Sequence, residues 1–222
     1  MFLDPAVRRE PAFGAGFRHM APLAAGIGAW GLMTGVAMVK SGMSVVEATA
    51  MTLLVYAGSS QLAAIPLLVA GAPAWVILAT GFCINLRFVV FSLHLRPYLM
   101  HMPRWRRMTH GYLTADLSYA VFTGRYPTPA TTEVGRREQE AFLTGGYCVT
   151  WLSWMGLSLV GILCSMATTR LRLLAAAIAG VTAVAAYALP LKLNIVTGIG
   201  VAVLLSFWLE RQFVRDPEEA GA

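Results

Sequence analysis

The chain has 222 residues, 57% of them hydrophobic and 13% charged, with 17 Lys and Arg against 11 Asp and Glu for a formal charge of +6. A soluble domain carries about 25% charged residues, and too few ionic groups remain here to cover a water-facing surface. The same composition excludes intrinsic disorder, a collagen-like repeat and a disulfide scaffold.

In chain order, residues 1–19 mix Asp4 and Glu10 with Arg8, Arg9 and Arg18, so they do not read as a cleaved secretory signal. The apolar run 19–39 is long enough for a retained first span. A second run, 45–70, is interrupted midway by Gly58-Ser59-Ser60-Gln61, and a third, 73–95, carries Asn85 and Arg87. Residues 96–109 hold arginines, prolines and histidines and read as a polar loop. The run 110–122 is short for a crossing and contains Asp116, and 123–141 form a second polar loop. Runs 142–167, 171–191 and 193–209 follow, giving one membrane domain over 1–222. These runs are too long for buried strands and lack period-2 alternation. The fold expected is all-α: a polytopic helical membrane protein with broken or partial-crossing helices.

The partial crossings follow from charge. Basic residues belong on the cytoplasmic side, yet counting every run as one crossing places the cluster from Arg96 to Arg107 opposite to Arg8, Arg9 and Arg18. A segment that enters and turns back restores the parity. Such backbone is tolerated at membrane depth where protein or a polar cavity covers it. Basic charge confined to the gaps between spans also argues against a nucleic-acid face.

Tyr56-Ala57-Gly58-Ser59-Ser60-Gln61 brings hydroxyls and an amide into hydrocarbon. Unpaired, they would be expensive there. They either line a substrate path at a broken helix, as in transporters, or form a kink satisfied by neighbouring helices. Arg87 either snorkels to the loop after Arg96, or pairs with Asp116 or binds a carboxylate at a cavity. Asp116 is an ion-pair or proton-handling candidate, or a helix end near headgroups. Trp151 and Trp154 flank Ser153, reading as an interfacial belt or, with Thr150 and Ser153, as part of the path. Leu62, Ile65 and Phe88 offer apolar surface for a substrate side chain. Gly31 and Gly35 form a small-xxx-small pair suited to helix contact. The histidines are scattered without metal-ligand spacing, and Cys83, Cys148 and Cys164 lie apart in apolar runs. No catalytic group, metal or cofactor is expected.

Together these strings resemble the AzlC family, the large subunit of a branched-chain amino acid exporter. Tyr56-Ala57-Gly58-Ser59-Ser60-Gln61 is similar to its Tyr-Ala-Gly-(Ala/Ser)-(Ser/Ala)-Gln signature. Asn85-Leu86-Arg87 with Phe91-Ser92-Leu93 resembles its Asn/Asp-x-Arg-His-x-x-Tyr-x-x-Ser-Leu stretch. Leu113-Thr114-Ala115-Asp116 resembles a Leu-Thr-Asp-Glu element, and Trp151-Leu152-Ser153-Trp154 the start of a later span. The resemblance implies secondary export of valine, leucine or isoleucine across the inner membrane, together with a small AzlD-type membrane subunit and without a cofactor. Substrate-binding or translocation residues would be Tyr56, Ser59, Ser60, Gln61, Asn85, Arg87, Asp116 and Ser153. A non-transporting scaffold or assembly subunit, and a channel for another small solute, are the alternative classes.

Phe88 and Phe91 stand where the family has histidine and tyrosine, and Ala115-Asp116 offers one carboxylate in place of an acidic pair. After Gly161 the chain passes almost directly to Thr169-Arg170-Leu171-Arg172, about one span short of the family pattern. With Arg170, Arg172, Arg211 and Arg215 inside, the segment 142–167 would begin and end on one side. Either it bends back, the orientation rule fails there, or the chain is a reduced homologue.

Overall fold

The computed structural model describes residues 5–166 and, beyond them, Leu174, Ile178, Val181, Thr182, Val201, Leu204 and Leu205. The chain divides into two compact units, residues 1–162 and 163–222. No strand occurs among the described residues. In the first unit run α1 (Pro5–Arg9), α2 (Pro11–Met20), a 3₁₀ turn (Ala21–Leu23), α3 (Ala24–Lys40), α4 (Val45–Val55) and α5 (Gly58–Val69). They are followed by α6 (Ala74–Leu99), α7 (Arg104–Leu113), α8 (Asp116–Arg125) and α9 (Glu133–Met166), whose last turn belongs to the second unit. In that second unit the described residues are helical, and most of the expected spans 171–191 and 193–209 lies outside the described residues.

Among the described residues, three helical stretches are long and apolar enough to cross a membrane: Pro11–Lys40, Ala74–Leu99 and Glu133–Met166. The α2–α3 stretch lies beside α9 and runs in the same direction. Gly16 meets the backbone of Phe142, Gly31 that of Trp154 and Gly35 that of Ser158, and the Ser158 hydroxyl donates to the Gly31 carbonyl at 2.9 Å. Lipid tails supply no hydrophobic drive between helices, so backbone proximity has to come from small residues. At Gly35 a Cβ would collide with the Ser158 carbonyl, which places the pair of glycines in this seam.

The runs 45–70 and 110–122 each fold back as a pair of short helices or part of one. α4 starts on Ser44, whose hydroxyl accepts the Glu47 backbone N–H while the Glu47 carboxylate accepts the Ser44 N–H at 2.8 Å, a capping box. The helix stops at Tyr56, held in the left-handed region at φ 42°. α5 then returns, so that Ile65 packs with Met38 and Ala48 at the end where α4 began. The second pair does the same from the opposite end. Arg107 on α7 lies against Met100, Thr114 is level with Phe88, and α8 runs back beside α6 until Tyr98 donates to the Tyr126 carbonyl at 2.8 Å. α4–α5 and α7–α8 are therefore two re-entrant hairpins entering from opposite ends, one after each of the spans α3 and α6.

This arrangement resolves the parity of the cluster from Arg96 to Arg107. Arg8, Arg9, Arg18, Arg96, Arg104, Arg106, Arg107, Arg125, Arg136 and Arg137 all gather at one end, here called the basic end, and Lys40 is at the other. The expected loop 96–109 is mostly helical: α6 passes Pro97 to Leu99 because Leu95, Tyr98 and Leu99 bury against Phe122 and Phe142. The expected loop 123–141 shortens because α9 begins at Glu133. Gln139 fastens the connection by accepting the Ala130 N–H and donating to the Thr128 carbonyl, both at 3.0 Å. Segment 142–167 does not bend back, since α9 is continuous through Met166.

Candidate functional site

The hairpin tips and the midpoints of all three spans border one cavity of about 290 Å³, close to the lower end of the range of roughly 300–1,000 Å³ usual for small-ligand sites. Gly26, Ile27 and Trp30 come from α3, and Tyr56 to Ser59 from the first tip. Arg87 and Phe88 come from α6, Ala115 to Leu117 from the second tip, and Thr150 and Trp154 from α9. Backbone freed from helical bonding at membrane depth is thus placed where protein and a polar cavity cover it.

Arg87 is the centre of the polar wall. Its Nη2 donates to the Ser59 hydroxyl at 2.8 Å, and its Nη1 lies 3.1 Å from Asp116 Oδ2. The guanidinium also sits 5.1 Å from the Phe88 ring centroid, a cation–π contact. One cation therefore bridges the two hairpin tips, and both partners remain partly open to the cavity, at 41% and 48% side-chain exposure. Of the alternatives for Arg87, the contacts match pairing with Asp116. Asp116 is not a headgroup-level residue, being the first residue of α8 at the hairpin tip.

Two helix N-termini point here, at Gly58 and Asp116; no N-cap side chain closes either, and at α8 the Ser118 hydroxyl accepts only the Ala115 N–H, at 2.9 Å. Such ends carry partial positive charge and free donors. Asp116 offsets that of α8. The α5 end, next to Arg87, is left electropositive, which suits an anionic group. Gly58 is required by space: any Cβ would strike the rings of Trp154 and Trp30.

The remaining expected residues separate into two groups. Tyr56, Ser59, Arg87 and Asp116 border the cavity. Ser60, Gln61 and Asn85 stand behind it. Ser60 donates to the Ala57 carbonyl at 2.9 Å and accepts from Asn85 Nδ2 at 3.2 Å, while the fully buried Gln61 donates to the Met51 carbonyl at 3.0 Å. These bonds hold the first hairpin closed. Ser153 does not line the cavity, whereas its helix neighbours Thr150 and Trp154 do. The belt reading of Trp154 is also corrected: it is 6% exposed, and its indole N–H is buried without a hydrogen-bond partner among the described residues. Leu62 and Ile65 pack in the cluster with Met38 and Ile162. The apolar walls are instead Ile27, Trp30, Phe88 and Trp154.

A sequence pattern would have found Trp30 and Thr150 only with the register of the re-entrant tips in hand. No group of His, Cys, Asp and Glu with metal-binding proximity occurs among the described residues.

Membrane-length helices, two re-entrant hairpins and a polar cavity at mid-depth define a multi-pass α-helical membrane protein. Residues 22–168 match the family model AzlC protein, and the chain belongs to the AzlC family. That family is transport-associated, is linked in general to branched-chain amino acid export, and typically works with a small partner. No curated protein and no solved structure matches the chain.

Proposed function

We propose that this chain is the large subunit of a secondary exporter of valine, leucine and isoleucine. It works across the inner, cytoplasmic membrane with a small AzlD-like membrane subunit and without a cofactor. The observation that carries the reading is Arg87 and Asp116 side by side, 3.1 Å apart, in a cavity otherwise walled by Ile27, Trp30, Phe88 and Trp154. An α-amino acid bears its carboxylate and ammonium on one carbon, so groups that recognise both have to be neighbours. The carboxylate takes Arg87 and the N–H groups opening α5, and the ammonium takes Asp116. The aliphatic side chain then lies on the apolar wall, where burial contributes about 25 cal/mol per Å². The gathering of arginines at one end supports a cytoplasmic basic end. Depth supports alternating access, because the cavity residues sit near the middle of the α2–α3 stretch, α6 and α9.

The test is efflux of labelled leucine from proteoliposomes holding the full chain, with and without the small subunit. Saturable efflux that needs both proteins, and that valine and isoleucine inhibit, is the expected result. Non-saturating conduction, or no movement of any of the three, would defeat the reading.

A further inference from the structure

A second titratable group lies between this cavity and the basic end, buried in the wall between α7 and α9. His110 is completely buried on α7, and neither ring nitrogen has a hydrogen-bond partner among the described residues. Its Nε2 faces Glu140 Oε1 of α9 at 3.9 Å, too long for a hydrogen bond. Glu140 is 7% exposed, and its Oε1 is 3.4 Å from Arg106 Nη1 on α7. Unsatisfied buried groups are costly, and a histidine and a carboxylate left about one ångström from bonding require a reason.

Two further observations give this pair a connection at each end. Toward the basic end, Glu140 and Arg106 line a separate cavity of about 480 Å³, with Glu10, His101, Glu133, Arg136 and Arg137 on its rim. Toward mid-depth, the His110 carbonyl is met by the hydroxyls of Thr114 and Tyr147 at 2.7 and 3.3 Å, themselves 2.7 Å apart. Thr114 leads directly into Ala115 and Asp116, the tip that borders the substrate cavity. The groups facing His110 are thus Arg106 from its own helix and Glu140 and Tyr147 from α9.

We propose that His110 and Glu140 are the binding site for the coupling proton, and that its arrival draws α7 onto α9 and shifts the hairpin tip carrying Asp116. The proposal rests on the transport reading above and names its driving ion. The proton comes from water in the basic-end cavity and comes to rest on an imidazole nitrogen; no other bond forms or breaks. Arg106 and Glu140 already cancel, so the imidazolium is an added buried charge. Only a shortened contact with Glu140 offsets its desolvation, and this ties protonation to movement. Among the described residues, no imidazole lines the substrate cavity.

The test uses the full chain in lipid nanodiscs with ¹³C-labelled histidine. A resonance that vanishes in His110→Gln should titrate in the native protein within a scan from about pH 4 to 9, which brackets ordinary histidine protonation. Its midpoint should fall by about one pH unit or more in Glu140→Gln, a tenfold loss of proton affinity. A resonance that stays neutral over that range, or a midpoint that Glu140→Gln leaves in place, would overturn the proposal. In proteoliposomes with the small subunit, His110→Gln should slow pH-gradient-driven leucine transport at least about tenfold relative to leucine exchange at equal pH, the ratio a one-unit change implies. An unchanged ratio would also overturn it. Should His110→Gln fail to fold, Glu140→Gln carries the same comparison. If the native protein exchanges no leucine, the transport reading fails and the coupling role with it, while the titration still reports whether the site binds a proton.

Discussion

The two re-entrant hairpins have the same outline and opposite chemistry. α4–α5 is closed by neutral hydrogen bonds, from Gln61 to Met51 and from Asn85 to Ser60. Its charged residue, Glu47, is spent on the cap at its outer end. α7–α8 carries Arg104, Arg106, Arg107, His110, Asp116 and Arg125, and beside its neutral Thr114 and Tyr147 bonds it makes ion pairs from Asp116 to Arg87 and from Arg106 to Glu140. A hairpin fixed by neutral bonds has no protonation-dependent contact and stays as built, whereas one held by charges changes grip when a proton or a charged substrate arrives. Under the proposed coupling, the α4–α5 hairpin is the fixed wall of the cavity and α7–α8 the responsive one. Arg87 connects them through Ser59 on one side and Asp116 on the other.

The sharpest way to break this contrast is to remove the connector. Arg87→Met should lower leucine efflux by about 100-fold or more, equivalent to roughly 3 kcal/mol for lost charge-assisted bonds. The chain should remain folded and monodisperse in detergent. Efflux at the native rate would show the bridge to be packing only. A smaller effect is expected at the fixed tip. Gly58→Ala pushes a methyl group into Trp154 and Trp30, and efflux should fall by about tenfold with a Tm lower by a few degrees. An unchanged efflux rate would mean that the indoles move aside freely and do not shape the cavity. The smallest change belongs behind the wall. Gln61→Met removes one hydrogen bond worth about 1 kcal/mol, so thermal stability should drop slightly while the concentration of leucine giving half-maximal efflux stays the same. A shifted half-maximal concentration would place Gln61 in the substrate path after all.

Much of this was legible in the residues. The polar interruption at Gly58 to Gln61, the short run bearing Asp116, and the misplaced arginines between 96 and 107 together point to segments that enter and turn back, and pairing with Asp116 is one of the roles the sequence leaves open to Arg87. What escaped was helix phase and helix start. Adjacent residues on a helix differ by about 100° of rotation, so Ser153 points elsewhere while Trp154 lines the cavity. Trp154 resembled an interfacial residue because the apolar run begins near Phe142, whereas α9 starts at Glu133 and places it deep within the helix. The charged residues from Glu133 to Glu140 concealed that continuity, and with it the approach of Glu140 to His110. Leu62 and Ile65 were apolar in the right segment, but on the face turned to Met38 and Ile162.

Competition by charge-stripped analogues is the most direct measurement of the central claim, that Arg87 and Asp116 together recognise a zwitterion. In the leucine efflux assay, the branched-chain acid lacking the ammonium and the branched-chain amine lacking the carboxylate should each inhibit at least about tenfold more weakly than isoleucine, since each leaves one of the two cavity charges without its counterpart on the ligand. If either analogue competes as well as isoleucine, only one charge is being read and the paired site described here is not the substrate site.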